Sequence, residues 1–205
     1  MTTLQEVCAL VYEITARPDL VTLTKMCVRD AVRKAHALQD FDRDVAVVSL
    51  ADYVAPAAID TLEKQYVECN IPANMRQLIA VIATNEDGSK HDKFVPQGKL
   101  ELFRYSYKPE PFTYEIRGTK IRIGFTTVPF AVEAKVRTYP ALAFAIDAPA
   151  TPEVNESWLL AADDYSFIVY SAAAAVYRAI GMNDDARGLD GQIQLSAVQV
   201  VNDYS

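Results

Sequence analysis

The sequence predicts an α+β fold in which helices from both ends of the chain form one bundle, with an antiparallel, β-sandwich-like domain inserted between them. Apolar residues recur at helical spacing within residues 3–38 and again within 158–181. Apolar and charged residues alternate through 113–125, as in a strand with one dry face. The 205 residues, 51% apolar, suffice for one domain with a large insertion. We expect a helical domain from residues 1–40 and 150–205, and a β domain from 41–149.

Two helices are expected at the start of the chain. Thr3 and Glu6 have capping-box spacing and predict a helix over 3–16, which Arg17-Pro18-Asp19 ends. A second helix is predicted from Thr22 to Leu38, antiparallel to the first. Its predicted core side comprises Leu23, Met26, Cys27, Asp30, Ala31 and Leu38, and its predicted outward side comprises Lys25, Arg29, Arg33 and Lys34.

Strands are expected across the middle of the chain. The hairpin over 113–125 is the most legible, because Gly118-Thr119 suits a two-residue turn between two alternating runs. Residues 100–105 fit either a helix or a strand. The other predicted strands are Val45–Leu50, Gln65–Ile71, Arg76–Ile82, which the turn Asn85–Gly88 closes, and Ala131–Tyr139.

One long helix is predicted from Trp158 to Gly181, after a loop over 147–157. Ser157 is its expected cap, and its stripe is expected to dock against residues 3–38. The run Ala172–Ala175 makes one side thin, so another backbone can approach closely. Ala173 and Ala174 on this side are candidate subunit contacts.

The last segment is expected to begin with a helix capped by Asn183. Residues 192–201 fit either a helix or a strand, and residues 202–205 are expected to fray.

The charge is unevenly placed. The net charge is −7; residues 1–150 carry 18 basic and 19 acidic groups, whereas residues 151–205 carry 2 and 8. An acidic chain is a poor candidate for gripping phosphate backbones. The basic run Arg29–Lys34 is interpreted as a solvated face or a subunit contact, because a nucleic-acid site would need nearby aromatic residues.

The sequence offers no pattern that indicates catalysis, a cofactor or a metal site. His36 is predicted to lie on a helix surface or interface, and His91 in a solvated loop. The acids of Asp40–Asp44 are interpreted as a loop salt bridge, and the pairs Asp163-Asp164 and Asp184-Asp185 as helix-start residues. The three cysteines, an odd number at wide spacing, favour a reducing compartment and are expected to be buried apolar residues: Cys8, Cys27 and Cys69.

Several short motifs, taken in order, resemble the head-to-tail adaptor proteins of tailed bacteriophages, the group that includes the tail tubular protein A type. Each motif is weak by itself, and their order over most of the chain makes the resemblance. The motifs are Arg17-Pro18-Asp19-Leu20, Ala35-His36-Ala37, Phe41–Asp44, Ile71–Arg76, Tyr114–Ile121, Trp158-Leu159-Leu160, Ile180-Gly181 and Asp184-Asp185-Ala186.

The resemblance implies a structural virion protein without catalytic residues. Such adaptors assemble beneath the portal as a ring, usually of twelve copies, extend the channel through which double-stranded DNA passes without specific binding, and present a platform to the next tail component. The implied location is the neck of the virion, with host cytoplasm during assembly. In this family the C-terminal segment often reaches the portal, so by position the resemblance implies a portal or subunit interface at Ile193, Leu195, Val198 and Val200. The acidic last quarter would suit a channel or rim that DNA must pass without binding.

Two other functions stay open on the sequence. A hydrolase could use the acids Asp42 and Asp44, or Asp163 and Asp164, and would need them to converge in a pocket. A β-sandwich module that binds carbohydrate would need exposed aromatic residues on one sheet face. Some of the 11 tyrosines could supply them, although tyrosines can equally fill a core.

Overall fold

The computed structural model describes residues 2–50, 66–91, 94–96, 113–125, 130–144, 146–147, 150–162 and 165–204. The chain forms two compact units. The helical unit comprises Met1–Asp44 and Tyr139–Ser205, and the β unit comprises Val45–Thr138. Helices and antiparallel sheets in these units confirm the α+β class. The predicted segment 100–105 lies outside the described residues.

Six helices are described in the helical unit. The first, α1 (Leu4–Thr15), begins at a complete capping box, since Thr3 accepts from the Glu6 backbone and the Glu6 side chain accepts from the Thr3 backbone. The ambiguous segment 192–201 is helical and lies within α6. The remaining helices are α2 (Val21–His36), α3 (Trp158–Ala161), α4 (Ser166–Ala179), α5 (Asn183–Gly188) and α6 (Asp190–Asp203).

Helix α4 lies at the centre of the helical unit. It contacts the α1–α2 pair and also the α5–α6 pair. Its small side chains are fully buried at Ala172, Ala173 and Ala174, which lets neighbouring backbones approach closely. Val28, Val32 and Ala35 of α2 belong to the same core. The C-terminal helices are therefore held to the N-terminal pair through α4.

The predicted core side of α2 is confirmed for Leu23, Cys27, Ala31 and Leu38, which are buried in the core or pack against it, and it is wrong for Met26 and Asp30. Met26 is 58% exposed, and Asp30 is exposed, whereas the buried residues are Thr24, Val28, Ala31, Val32, Ala35 and His36. Small and β-branched side chains face α4 because its thin alanine side favours a close approach. The larger Met26 does not fit that approach and faces outward.

The single helix predicted from Trp158 to Gly181 is wrong in its first part. Helix α3 ends at Ala161, and α4 begins at Ser166. Leu159 and Leu160 are fully buried although they lie off the predicted stripe, whereas Ala162 on the stripe is exposed. The predicted stripe comprised Trp158, Ala162, Tyr165, Val169, Ala172, Val176 and Ala179. The burial of two adjacent leucines therefore orients α3 differently from a continuation of α4.

The loop predicted over 147–157 contains short strands. β10 (Ile146–Asp147) pairs with β11 (Ala150–Thr151), and β12 (Val154–Asn155) pairs with β9 (Leu142–Ala143), both antiparallel. Among the described residues, none of the helices is both long and apolar enough to span a bilayer.

Within its described residues, the β unit forms two four-stranded sheets. The first has the order β1 (Val45–Ser49), β8 (Ala131–Thr138), β3 (Met75–Thr84) and β4 (Lys90–His91), and all of its pairs are antiparallel. The turn predicted at Asn85–Gly88 joins β3 to β4, with the Gly88 amide donating to the Asn85 carbonyl at 3.0 Å. The predicted strands over 45–50, 76–82 and 131–139 are thus confirmed within a residue or two.

The second sheet has the order β2 (Tyr66–Asn70), β7 (Lys120–Gly124), β6 (Thr113–Arg117) and β5 (Val95–Pro96). The predicted hairpin is confirmed as β6–β7, and Gly118 has φ +60°, a conformation that glycine adopts without strain. β5 pairs with β6 in parallel, an exception to the antiparallel pattern. Both sheets contribute to one core, which includes Val81, Val132 and Val136 from the first and Cys69, Ile121 and Ile123 from the second.

Candidate functional site

A buried polar network joins three distant segments of the helical unit. His36, the last residue of α2, contacts Asp44 through Nδ1 at 2.8 Å and Ser157 through Nε2 at 2.9 Å. Asp44 ends a short 3-10 turn over Asp42–Asp44, and Ser157 immediately precedes α3. If the Asp44 carboxylate is ionised it accepts only, so His36 Nδ1 donates to it. In the neutral ring, Nε2 then accepts from the Ser157 hydroxyl.

Trp158 extends this network toward the surface. Its indole Nε1 donates to the same Asp44 Oδ1 at 2.8 Å, and its ring lies edge-on to His36 and Phe41. On the outer side, Tyr204 packs edge-on against Trp158, and the Arg43 guanidinium lies 5.2 Å from the Trp158 ring centre and 5.5 Å from that of Tyr204. The end of the chain is thereby tied to the start of α3, whereas fraying had been expected there.

The order serine, imidazole and carboxylate is that of a hydrolase triad, and such triads are recognised by geometry. A nucleophile must also meet its substrate. Ser157 has no exposed surface, and His36 and Asp44 are 1% and 6% exposed. The Ser157 side chain also makes no capping bond to α3, contrary to the predicted cap. We interpret the network as a structural one that fixes the end of α2, the 3-10 turn and the start of α3.

The prediction that His36 lies on a helix surface or interface is wrong. Its partners come from 8 residues and 121 residues further along the chain, so periodicity around position 36 could not reveal them. His91, predicted to be solvated, is half-buried, with its ring 5.1 Å from that of Phe94. The nearby basic residues Arg33 and Lys34 at the end of α2 favoured an exposed position for His36.

The candidate acid pairs do not form a common site where they are described. Asp44 is buried and binds His36 and Trp158, whereas Asp42 is exposed. Asp184 and Asp185 are exposed in the first turn of α5, as predicted for helix-start acids, and Asp163 and Asp164 lie outside the described residues. Among the residues that the structure describes, no group of three or more His, Cys, Asp or Glu side chains could hold a metal ion.

Cys8 lines a cavity within the helical unit. The cavity has a volume of about 330 Å³ and lies between α1, α2 and the segment carrying Phe144 and Glu153. Burial raises the pKa of the Cys8 thiol to about 11, with a smaller opposing effect of Lys25. The thiol is therefore protonated at neutral pH, which agrees with the predicted role as a buried small residue. Cys69 is likewise buried, Cys27 is half-buried, and the three cysteines are thiols that form no disulfide.

The predicted interface residues fall into two groups. Leu195 and Val198 of α6 are 69% and 58% exposed, and Ile193 is half-buried against the core. The three remaining candidates, Ala173, Ala174 and Val200, are fully buried inside the helical unit. A side chain without exposed surface cannot contact a second chain unless the unit rearranges. The candidate interface on α6 therefore narrows to Leu195 and Val198, with Ile193 at its edge.

The outward side of α2 carries the basic residues predicted there, and aromatic rings lie against them. Lys25 Nζ is 5.5 Å from the centre of the Phe144 ring, and the Arg29 guanidinium is 6.0 Å from the same centre. The Arg33 guanidinium is 6.0 Å from the centre of the Tyr139 ring. Phe144 and Tyr139 are distant in sequence from α2, so the basic run alone gave no sign of them. Stacking restricts these long side chains and holds their charges outward.

The β unit presents fewer candidate contacts. Phe130, just before β8, is 71% exposed, whereas Tyr114 packs against the core. Tyr105 and Tyr107 lie outside the described residues. The described part of the β unit therefore provides one exposed phenylalanine, whereas a carbohydrate-binding face would need a row of exposed aromatic residues.

Comparison with known proteins gives no assignment. No family model matches the sequence, and a search of curated proteins finds no significant match.

Proposed function

We propose that the chain is a structural subunit of a tailed bacteriophage, a head-to-tail adaptor that assembles as a ring of about twelve copies beneath the portal. The ring extends the channel for double-stranded DNA and carries the next tail component. The subunit acts in the neck of the virion, after assembly in the host cytoplasm, and performs no catalysis. The ordered motifs of the sequence suggest this family.

The structural observation that carries the proposal is the exposed apolar surface of α6. Leu195 and Val198 are three residues apart and therefore lie on one side of the helix. Exposed apolar residues that lie together on one surface are typical of sites that a partner covers. The buried network around His36 supports a structural role as well, because its polar groups form hydrogen bonds that join distant segments of the chain.

The acidic last quarter supports the proposed channel. Residues 151–205 carry 8 acidic and 2 basic groups, and Asp184 and Asp185 are exposed. A surface with excess negative charge repels phosphates, so DNA can pass without being held.

Electron microscopy tests the proposal. The purified chain is imaged alone and after mixing with portal rings of the same phage. We expect closed rings with a central hole, on the portal or free. Absence of rings in both samples, together with failure to sediment with the portal, would contradict the proposal. The matched variant Leu195→Asp/Val198→Asp should lose ring formation or portal binding, while Gln194→Asp/Gln199→Asp, on exposed positions of the same helix, tests whether added charge alone has that effect.

A further inference from the structure

The cavity beside Cys8 has walls from three distant segments of the helical unit. Tyr12 and Cys8 line it from α1, Lys25 lines it from α2, and Phe144 and Glu153 line it from the later part of the chain. Its volume of about 330 Å³ is at the lower end of the range for small-molecule sites. A cavity of this size admits a molecule as large as an amino acid.

Two opposite charges line this cavity without pairing. Among the residues that the structure describes, no ion pair joins Lys25 to Glu153, and none joins either of them to another side chain. Both charges nevertheless act on the Cys8 thiol. Beside the larger effect of burial, which raises the pKa of Cys8, Lys25 lowers this pKa and Glu153 raises it. A cation and an anion therefore lie near one buried sulfur, but too far apart to neutralise one another.

Neighbouring groups hold the two charges in place. Lys25 Nζ lies 5.5 Å from the centre of the Phe144 ring, which is within the range of a cation–π contact. Glu153 Oε1 accepts from the Leu4 backbone N–H at 2.8 Å, so the carboxylate is fixed against the first turn of α1, where the helix dipole favours an anion. A ligand would meet charges that are already positioned, and binding would order few additional side chains.

The other polar groups of the lining are neutral. Burial raises the pKa of the Tyr12 phenol, as it does that of the Cys8 thiol, so both groups are protonated at neutral pH. The Phe144 ring provides an apolar wall. A simple carboxylate would be repelled by Glu153, and a simple amine by Lys25, whereas a molecule that carries both charges matches both walls.

We propose that this cavity binds a free α-amino acid with an apolar side chain. The carboxylate of the ligand meets Lys25, its ammonium group meets Glu153, and its side chain packs against Phe144. The site does not depend on ring assembly, so it goes beyond the proposed function and can fail without affecting it.

Two-dimensional NMR of the isotope-labelled chain at neutral pH tests the inference. The probes are L-leucine, L-methionine and L-phenylalanine, each up to about 20 mM, a concentration that nearly fills a site with a Kd of about 1 mM. We expect saturable shifts at the amides of Cys8, Tyr12 and Phe144. The amino acid that binds most tightly is then compared with its deaminated acid and its decarboxylated amine, which for leucine are isocaproate and isopentylamine. Each analogue should bind at least about tenfold more weakly, because one charged wall is left without its partner.

Two variants assign the walls. Lys25→Gln and Glu153→Gln each remove one charge with little change of shape, and the introduced amide at position 153 can still accept from Leu4. Each should weaken binding of the amino acid about tenfold. The Lys25 variant should also lose the preference for the amino acid over its amine, and the Glu153 variant the preference over its acid. A purely structural effect would not change these preferences. Lys34→Gln and Glu13→Gln, at exposed positions of α2 and α1, are the matched controls and should bind like the wild type.

Three results would overturn the inference. Absence of saturable shifts with all three amino acids would show that the cavity holds water alone. Equal binding of the amino acid and one of its analogues would show that a single charge is recognised. Unchanged binding by both variants would place the ligand elsewhere on the chain. None of these results bears on ring formation, which electron microscopy tests separately.

Discussion

Replacing Asp44 by alanine should destabilise the helical unit strongly. One carboxylate oxygen, Oδ1, contacts both His36 Nδ1 and Trp158 Nε1 at 2.8 Å. The alanine variant leaves two donors without this acceptor in a region where Asp44 is 6% exposed and His36 is 1% exposed. An unsatisfied buried donor costs about 1–3 kcal/mol, so we expect a loss on the order of 3 kcal/mol in the free energy of unfolding. For a chain of this size, that loss lowers Tm by roughly 6–12 °C.

Urea unfolding followed by Trp158 fluorescence provides the assay. Trp158 is the only tryptophan in the chain and belongs to the network, so the signal reports on the helical unit itself. Far-UV circular dichroism, which reports on both units, is recorded in parallel. A transition that differs between the two probes would show that the units unfold separately, and the fluorescence transition then gives the relevant free energy.

Asp42→Ala is the matched control. Asp42 is exposed and lies two residues before Asp44 in the same 3-10 turn. Its removal should change stability by less than about 0.5 kcal/mol. If both variants lose less than 1 kcal/mol, the buried hydrogen bonds do not hold the segments together, and our interpretation of the network is refuted. If the network acts as one unit, Ser157→Ala in the Asp44→Ala background should add little to the loss of stability, because the two residues act through the same imidazole.

Three further predictions concern the core and the thiols. Ala173→Leu should lower the free energy of unfolding by about 1–3 kcal/mol through overpacking, measured by thermal or urea unfolding, while Ala179→Leu at an exposed position of α4 should be nearly neutral. Equal stability of the two variants would show that the alanine side of α4 has free space. Tyr177→Phe removes a 2.8 Å hydrogen bond to a backbone carbonyl of α1 and should lose about 1 kcal/mol by the same assay, more than Tyr170→Phe. Cys8 should resist a thiol reagent at pH 8 until the chain unfolds. Its folded pKa of about 11 lies above the unfolded value near 9, so the free energy of unfolding should fall as pH rises from 9 towards 11. A Cys8→Ala variant should lose that pH dependence.

The elements that could be predicted are those whose signal is local. The hairpin β6–β7 follows from alternation on both sides of Gly118, and helix α1 follows from the capping box of Thr3 and Glu6. Neither needs information from elsewhere in the chain. The two-residue strands between 142 and 155 could not be predicted from the sequence, because such short pairings leave no periodic pattern.

The side of α2 that is buried could not be read from the helix alone. Apolar residues lie on more than one side of it, and Met26, which was expected in the core, is exposed. Packing against α4 decides which side of α2 is buried, because the small Ala172 and Ala173 favour small or β-branched neighbours such as Val28 and Ala35. His36 was misplaced for the same reason, since its environment is made by Asp44 and Ser157.

The exposure of Met26 follows from the packing of α2 against α4. Because α4 selects small and β-branched residues, Met26 is left outside, on the side of α2 that carries Lys25, Arg29 and Arg33. A helix with Met26 in the core, as first predicted, would present basic residues alone on that side, which is the composition of a solvated face. The same close packing that fixes the helical unit therefore creates a mixed apolar and basic surface. An overpacked α4 that rotates α2 should accordingly alter this surface as well as stability, whereas Tyr177→Phe should lower stability alone.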